Sequence, residues 1–195
     1  EGAIKIDLLK DKSKEYKIKS LAICDTSNLC GALEFSEKLS KVGTQPIIGT
    51  QINFKFGDTT GLLPLFALNE SGYKNMIKLS SLSYLSNDNL SDPHLDFNEL
   101  INHDITGISI FSGTIFGLFG KLYDKGKFSE ISQLYSKLIN HFDDRFYIEI
   151  QRHGDQNELG FEKFNLSQSS DLKIPIIATH EVFYLTKDMH EAHDA

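Results

Sequence analysis

Apolar residues recur along this chain in two rhythms, and the switches between them mark out its elements. Residues 2–18 carry Ile4, Ile6, Leu8, Leu9 and Tyr16 among lysines and predict a helix of untidy period. Leu21–Cys24 is an unbroken apolar run, the pattern of a buried strand. Leu29, Ala32, Leu33, Phe35, Leu39 and Val42 then fall at helical spacing, with Asn28 as a candidate cap and Gly43 as the stop. From Pro46 the period drops to two through Ile52, Phe54 and Phe56, and Gly57-Asp58 reads as a hairpin turn into a return strand over Leu62–Leu68. Helical patterns follow over Asn69–Leu85, a short Phe97–Ile101, 115–125, 128–142 and 156–172. Between them lie strands over Gly107–Phe111, Arg145–Ile150 and 174–178, and a polar loop over 86–95.

Strands that alternate with helices predict an α/β protein built on a parallel sheet, closed or open. Polar residues recur just after the strands: Asp25, Gln51, Ser112, His153, and His180 with Glu181. In a β/α barrel such positions share one rim, where this architecture places its working residues. No internal linker, repeat or low-complexity stretch breaks the pattern, so residues 1–195 read as a single domain.

Composition narrows the picture. The 195 residues are 40% hydrophobic and 24% charged, enough for one sizeable core. A net charge of -7 argues against a surface that grips nucleic acid by its phosphates, which needs clustered Lys and Arg. Cys24 and Cys30 read as reduced, packed thiols rather than a disulfide or metal pair, which with the absence of an apolar run of membrane-spanning length predicts a cytoplasmic protein. The chain opens on Glu1 and closes inside a helical-looking polar stretch, so it is expected to be a piece of a longer protein.

The candidate chemistry is sparse. Asp25 can either accept hydrogen bonds from its own turn or serve a site. His153, His180 and Glu181 are the most ligand-like group, of the donor types that suit zinc or manganese. No HExxH or HxH spacing, nucleophile elbow, phosphate loop or dinucleotide fingerprint is present. His94, His103, His141, His190 and His193 read as exposed polar positions without a role.

Six short motifs in order carry a family resemblance over essentially the whole chain. They are Leu21–Glu34, Gly43–Gly49, Ala67–Asn75 continuing into Lys78-Leu79-Ser80, Ser112-Gly113, Phe146–Gly154 and Pro175–Thr179. Together they resemble the PHP (polymerase and histidinol phosphatase) domain, in the version at the N-terminus of bacterial DNA polymerase III alpha subunits. The resemblance implies a distorted seven-stranded, TIM-like β/α barrel, with the family's first strand and its histidine–x–histidine motif upstream of Glu1. Active members hold a metal cluster at the C-terminal rim and hydrolyse phosphate esters. At the corresponding ligand positions this chain has Glu1, Thr26, Gln51, Leu62, Thr114, Glu181 and Phe183, of which only the two glutamates keep a donor of the right kind. Gln, Leu, Thr and Phe cannot supply the anionic or imidazole donors a divalent cluster requires.

What the resemblance implies is therefore a domain with a vestigial metal site, no catalytic residue and no cofactor of its own. Its role would be a scaffold that docks a separate proofreading exonuclease subunit. The parent chain would polymerise deoxynucleotides with magnesium and contact DNA through palm, thumb and fingers domains absent from these residues. The alternative is a residual metal-dependent phosphoesterase or 3′–5′ exonuclease using Glu1, His153, His180 and Glu181. A third reading is an unrelated β/α protein that binds a small molecule at the same rim.

Overall fold

The computed structural model describes residues 4–87 and 91–190. Seven strands and seven α-helices alternate along them: α1 (Ile6–Glu15), β1 (Ser20–Thr26), α2 (Ala32–Ser40), β2 (Gln45–Phe56), β3 (Thr59–Ala67), α3 (Glu70–Leu85), β4 (Leu95–Asp96), α4 (Phe97–Asn102), β5 (Ile108–Phe111), α5 (Leu118–Asp124), α6 (Phe128–Phe142), β6 (Phe146–Ile150), α7 (Glu158–Leu172) and β7 (Ile176–Ala178). The strands form one sheet in the order β1-β2-β3-β5-β6-β7, and β4 pairs with β2. This is the mixed α/β fold class expected.

The sheet is not parallel throughout. β2 and β3 are antiparallel from Gly49↔Phe66 to Phe56↔Thr59, the register set by the Gly57-Asp58 turn, whose glycine sits at φ 61°. β3 and β5 are antiparallel as well, whereas β5–β6 and β6–β7 are parallel. Alternation of strands and helices favours parallel pairing only where a helix forms the crossover. Here α3, β4 and α4 lie between β3 and β5, and the chain re-enters from the other end. Two-residue β4, parallel to β2, begins at Leu95, the last residue of the stretch read as loop.

The described residues fall into two compact units: 4–23, 30–48 and 180–190, and 24–29 with 49–87 and 91–179. In the first, Ala32, Phe35 and Leu39 form the buried stripe of α2. Lys38 on α2 bridges Asp7 of α1 at 2.8 Å and Glu34 of its own helix at 2.5 Å. Thr44 Oγ1 donates to the carbonyl of Ile18 at 2.9 Å. The N-cap of α2 is Gly31, and Asn28 Nδ2 turns back to donate to the carbonyl of Thr26 at 2.9 Å.

The second unit holds a larger core. Ile52, Phe54, Leu63, Leu65, Met76, Ile110, Leu118, Leu138 and Ile148 are fully buried. A chain of ring contacts runs Phe56–Phe97–Phe119–Tyr135–Phe146, with centroids 6.4, 6.4, 4.6 and 5.4 Å apart and mostly edge-on, the arrangement favoured by the ring quadrupole. α3 starts at Asn69, whose Oδ1 accepts from the N–H of Gly72 at 2.9 Å. Asp96 and Glu99 complete a capping box on α4. Gly72 lies so near β5 that a Cβ there would meet the carbonyl oxygen of Gly107 at 1.9 Å.

Candidate functional site

Two groups of polar side chains gather in the second unit; Asp25 lies within β1 and Gln51 in the middle of β2, not just after a strand as expected, because both strands run further than their apolar cores. The first surrounds the loop after β1. Gln51 Nε2 donates to Thr26 Oγ1 at 2.8 Å, and Ser27 N–H donates to the Gln51 carbonyl at 2.8 Å. Thr50 Oγ1 donates to the Asp25 carbonyl at 2.8 Å, and Tyr84 OH of α3 donates to the Ser27 carbonyl at 3.0 Å. Ser27 takes φ 57° in the middle of this net. A non-glycine residue is uncommon in that left-handed region and costs of order 1–3 kcal/mol, which these bonds offset.

The second group surrounds the end of β6. Glu149 is 5% exposed. Its backbone N–H donates to Ser112 Oγ at 2.9 Å. Its Oε1 accepts from the Thr179 hydroxyl and, at 3.3 Å, from Gln151 Nε2. Gln151 Nε2 also donates to Thr179 Oγ1 at 2.8 Å, which fixes its Oε1 as the group 2.8 Å from His153 Nε2. His153 therefore carries its hydrogen on Nε2 and donates it to that amide.

Beyond β6, Arg152 pairs with Glu162 through two bonds, Nε–Oε2 at 2.9 Å and Nη2–Oε1 at 2.6 Å, in the fork geometry that suits a carboxylate. Glu158 accepts the N–H groups of His153, Gly154 and Asp155 at 2.9, 2.8 and 3.1 Å. Burial pushes the Glu158 carboxyl up, but these three donors outweigh it and leave the group below its ordinary range. Thr114, Ile115, Glu149, Gln151, Glu158, Glu162 and Asn165 are among the residues around a cavity of about 20 Å³, the room of a single water. Beneath it Tyr135 is fully buried and donates to Asn165 Oδ1 at 2.9 Å; burial raises its hydroxyl well above the usual tyrosine range.

The residues singled out in the sequence distribute as follows. Thr26 and Gln51 meet directly, and Asp25 enters through its carbonyl. Thr114 joins Gln151 around the cavity, and His153 is held by Gln151. Leu62 is half-buried on β3, opposite Asn53 of β2. Its carbonyl faces the Ser112–Gly117 turn, where a Cβ on Gly113 would lie 3.1 Å from it. His180, Glu181 and Phe183 belong to the first unit, in irregular backbone after β7. Glu1 lies outside the described residues.

Sequence reasoning missed Glu149, the most buried carboxylate of the site. The available signal was an acid between Ile148 and Ile150 in a strand, which has to be partnered if it is buried.

A metal cluster of the kind the resemblance implies does not fit the donor set at Thr26 and Gln51. The nitrogen of a primary amide has no lone pair to give a cation, and the neutral oxygens of Gln51 and Thr26 do not replace the imidazole and carboxylate that a zinc or manganese cluster takes. Among the described residues no group of three or more His, Cys, Asp or Glu is arranged to hold a metal ion. Nor is any described helix long and apolar enough to cross a membrane, and neither cysteine is in a disulfide.

Residues 1–153 match the family model of the PHP domain. The alpha subunit of DNA polymerase III from Rickettsia felis is 36% identical over 196 residues, covering 100% of this chain and 16% of its own length. That from Caulobacter vibrioides is 34% identical over 203 residues, covering 100% and 18%. That from Vibrio cholerae is 32% identical over 197 residues, covering 100% and 17%. The chain thus spans about a sixth of these relatives. Among solved structures, an amidohydrolase from Chromobacterium violaceum superposes with a TM-score of 0.60 at 9% identity, covering 93% of this chain and 83% of its own. A protein assigned as a metal-dependent phosphoesterase from Bifidobacterium adolescentis does so with a TM-score of 0.60 at 11% identity, covering 91% and 82%. At those identities the likeness speaks for the fold alone.

Proposed function

The chain belongs to the PHP domain family, and on that premise we propose that it is the N-terminal domain of a replicative DNA polymerase alpha subunit, acting there as a non-catalytic scaffold. The parent chain would extend DNA with magnesium held by a palm domain elsewhere in the polypeptide, in the cytoplasm. This domain would instead hold the proofreading exonuclease subunit against the polymerase.

The observation that carries the reading is the hydrogen bond from Gln51 to Thr26. Phosphate-ester hydrolysis by a divalent site needs about three protein ligands and a position for water. Where the family resemblance expects histidine and glutamate, two neutral side chains are bonded to each other. Leu62 adds apolar volume at a third such position, and Thr114 a hydroxyl at a fourth. A proofreading activity absent from this domain is left to be supplied elsewhere, and a subunit docked here would supply it.

The test is binding of the exonuclease subunit to the intact alpha subunit and to a version lacking residues 1–195. At least a tenfold loss of affinity on deletion is expected. Unchanged affinity rejects the docking role.

A further inference from the structure

We propose that residues 152–157 form a strap, latched by two carboxylates of α7, that controls access to the cavity beside Glu149. The proposal is independent of the scaffold reading and rests on how this segment is fastened. All six residues, Arg152 to Asn157, are exposed, so no apolar burial holds them down. Their attachments to the rest of the unit run mainly to the first two turns of α7. Glu158 collects three successive backbone N–H groups, from His153, Gly154 and Asp155. Glu162 takes the guanidinium of Arg152 through two bonds.

The ends of the strap are firm. Ile150 closes β6, and Gln151 is tied to Glu149 and Thr179. On the far side Phe161 is 4% exposed and anchors α7 in the core. The tip is Gly154, at φ 87° with open space where a Cβ would stand. A segment with firm ends, an open tip and no buried side chain is the kind that opens locally without unfolding its neighbours.

The latch and the cavity share their groups. Glu158 and Glu162, which fasten the strap, are also wall residues of the cavity, with Gln151, Glu149, Thr114 and Ile115. Glu162 is 12% exposed on its side chain whereas Arg152 is 76% exposed, so the cation reaches inward over the carboxylate. Release of the strap would free both wall carboxylates to turn outward. The room for one water then becomes a cleft that reaches Glu149, the buried carboxylate. Closed, the strap keeps solvent and solutes from that group.

The experiment uses the intact parent chain. Hydrogen exchange is read by mass spectrometry for wild type, Glu158→Ala and Arg152→Ala. In parallel, Ile115→Cys, a cavity-wall position 6% exposed, is alkylated and followed by peptide mass with and without each latch substitution. Loss of one hydrogen bond to a charged group corresponds to about a tenfold change in the opening equilibrium. The expected result is that Glu158→Ala speeds exchange at residues 153–155 by about tenfold or more, with residues 161–172 unchanged. Alkylation at position 115 should accelerate with it. Arg152→Ala cuts an exposed side chain without changing any residue of α7, and should speed alkylation by about threefold or more. Unchanged exchange at 153–155 would overturn the proposal. So would alkylation that ignores both substitutions, or loss of protection along α7 together with the strap.

Discussion

Gln51 points its amide hydrogens at Thr26 Oγ1, 2.8 Å away, and that geometry decides what the residue can do. It can cross-link the end of β1 to the middle of β2, and it cannot ligate a cation through that nitrogen. Both side chains are substantially shielded, since Thr26 and Gln51 are half-buried. A hydrogen bond of this kind contributes about 0.5–1.5 kcal/mol net. Thr26→Val and Gln51→Leu should each destabilise by about that amount, and the double variant by less than the sum; a denaturant double-mutant cycle with no coupling would contradict the bond's role. A second residue, Asp58 at the β2–β3 turn, answers to pH. Lys127, Thr59 and Lys125 all donate to its carboxylate and hold it far below the usual range. A carboxyl whose folded value is depressed adds stability above its unfolded value and loses it as pH falls through the folded one. Acid titration of stability should therefore show a loss beginning below about pH 4 that is smaller in Asp58→Asn. An identical acid limb in both proteins would mean these lysines do not act through Asp58.

At the scale of elements, the close approach of α3 to β5 depends on one missing side chain. Asn69 starts the helix by accepting from Gly72 N–H, and Gly72 in turn lies against the Gly107 carbonyl. A methyl at position 72 has no room, because the obstruction is backbone rather than a side chain that could swing away. Gly72→Ala would be stabilising in an open helix by propensity alone. Here overpacking should reverse the sign and cost about 1–3 kcal/mol, read as a lower denaturation midpoint. A neutral or raised midpoint would show that α3 can slide away from β5. The same unit shows how lysines fasten elements across the sequence. Lys121 of α5 donates to the Thr60 carbonyl at 2.9 Å, and Lys125 donates to Thr59 Oγ1 at 2.7 Å. These lysines, scattered when read along the chain, are in fact clasps on the hairpin.

For the whole molecule the question is whether any ion contributes to the folded state. A protein that binds a metal only when folded gains stability with metal and loses it to a chelator. With neutral side chains bonded to each other at Thr26 and Gln51, the expected outcome is a thermal midpoint unmoved by chelator. Elemental analysis should return less than stoichiometric zinc or manganese. A fall of several degrees on chelation, or two to three metals per chain, would show that the donors assembled elsewhere. Stability should depend instead on the core of the larger unit, where the ring chain from Phe56 to Phe146 ties β2, α4, α5, α6 and β6 together.

How much of this was written in the sequence follows from the range of each cause. The amphipathic stripe of α2, the alternation of β2, the Gly57 turn and the Asn69 cap are set by residues within a few positions of one another, so they could be read directly. The family and the changed ligand positions were legible too, because a motif is a local string. The antiparallel pairing of β3 with β5 was not, because strand direction depends on where the intervening chain turns back. Two-residue β4 exists only because β2 offers an edge. Glu149 looked like an ordinary strand acid until Ser112 and Thr179, 37 and 30 residues away, converged on it with Gln151. Local propensities and motifs determined which elements form and which family they belong to. Which polar groups meet, and therefore which remain available for chemistry, was decided by tertiary contacts, since a buried donor or acceptor takes whichever partner the fold brings within 3 Å.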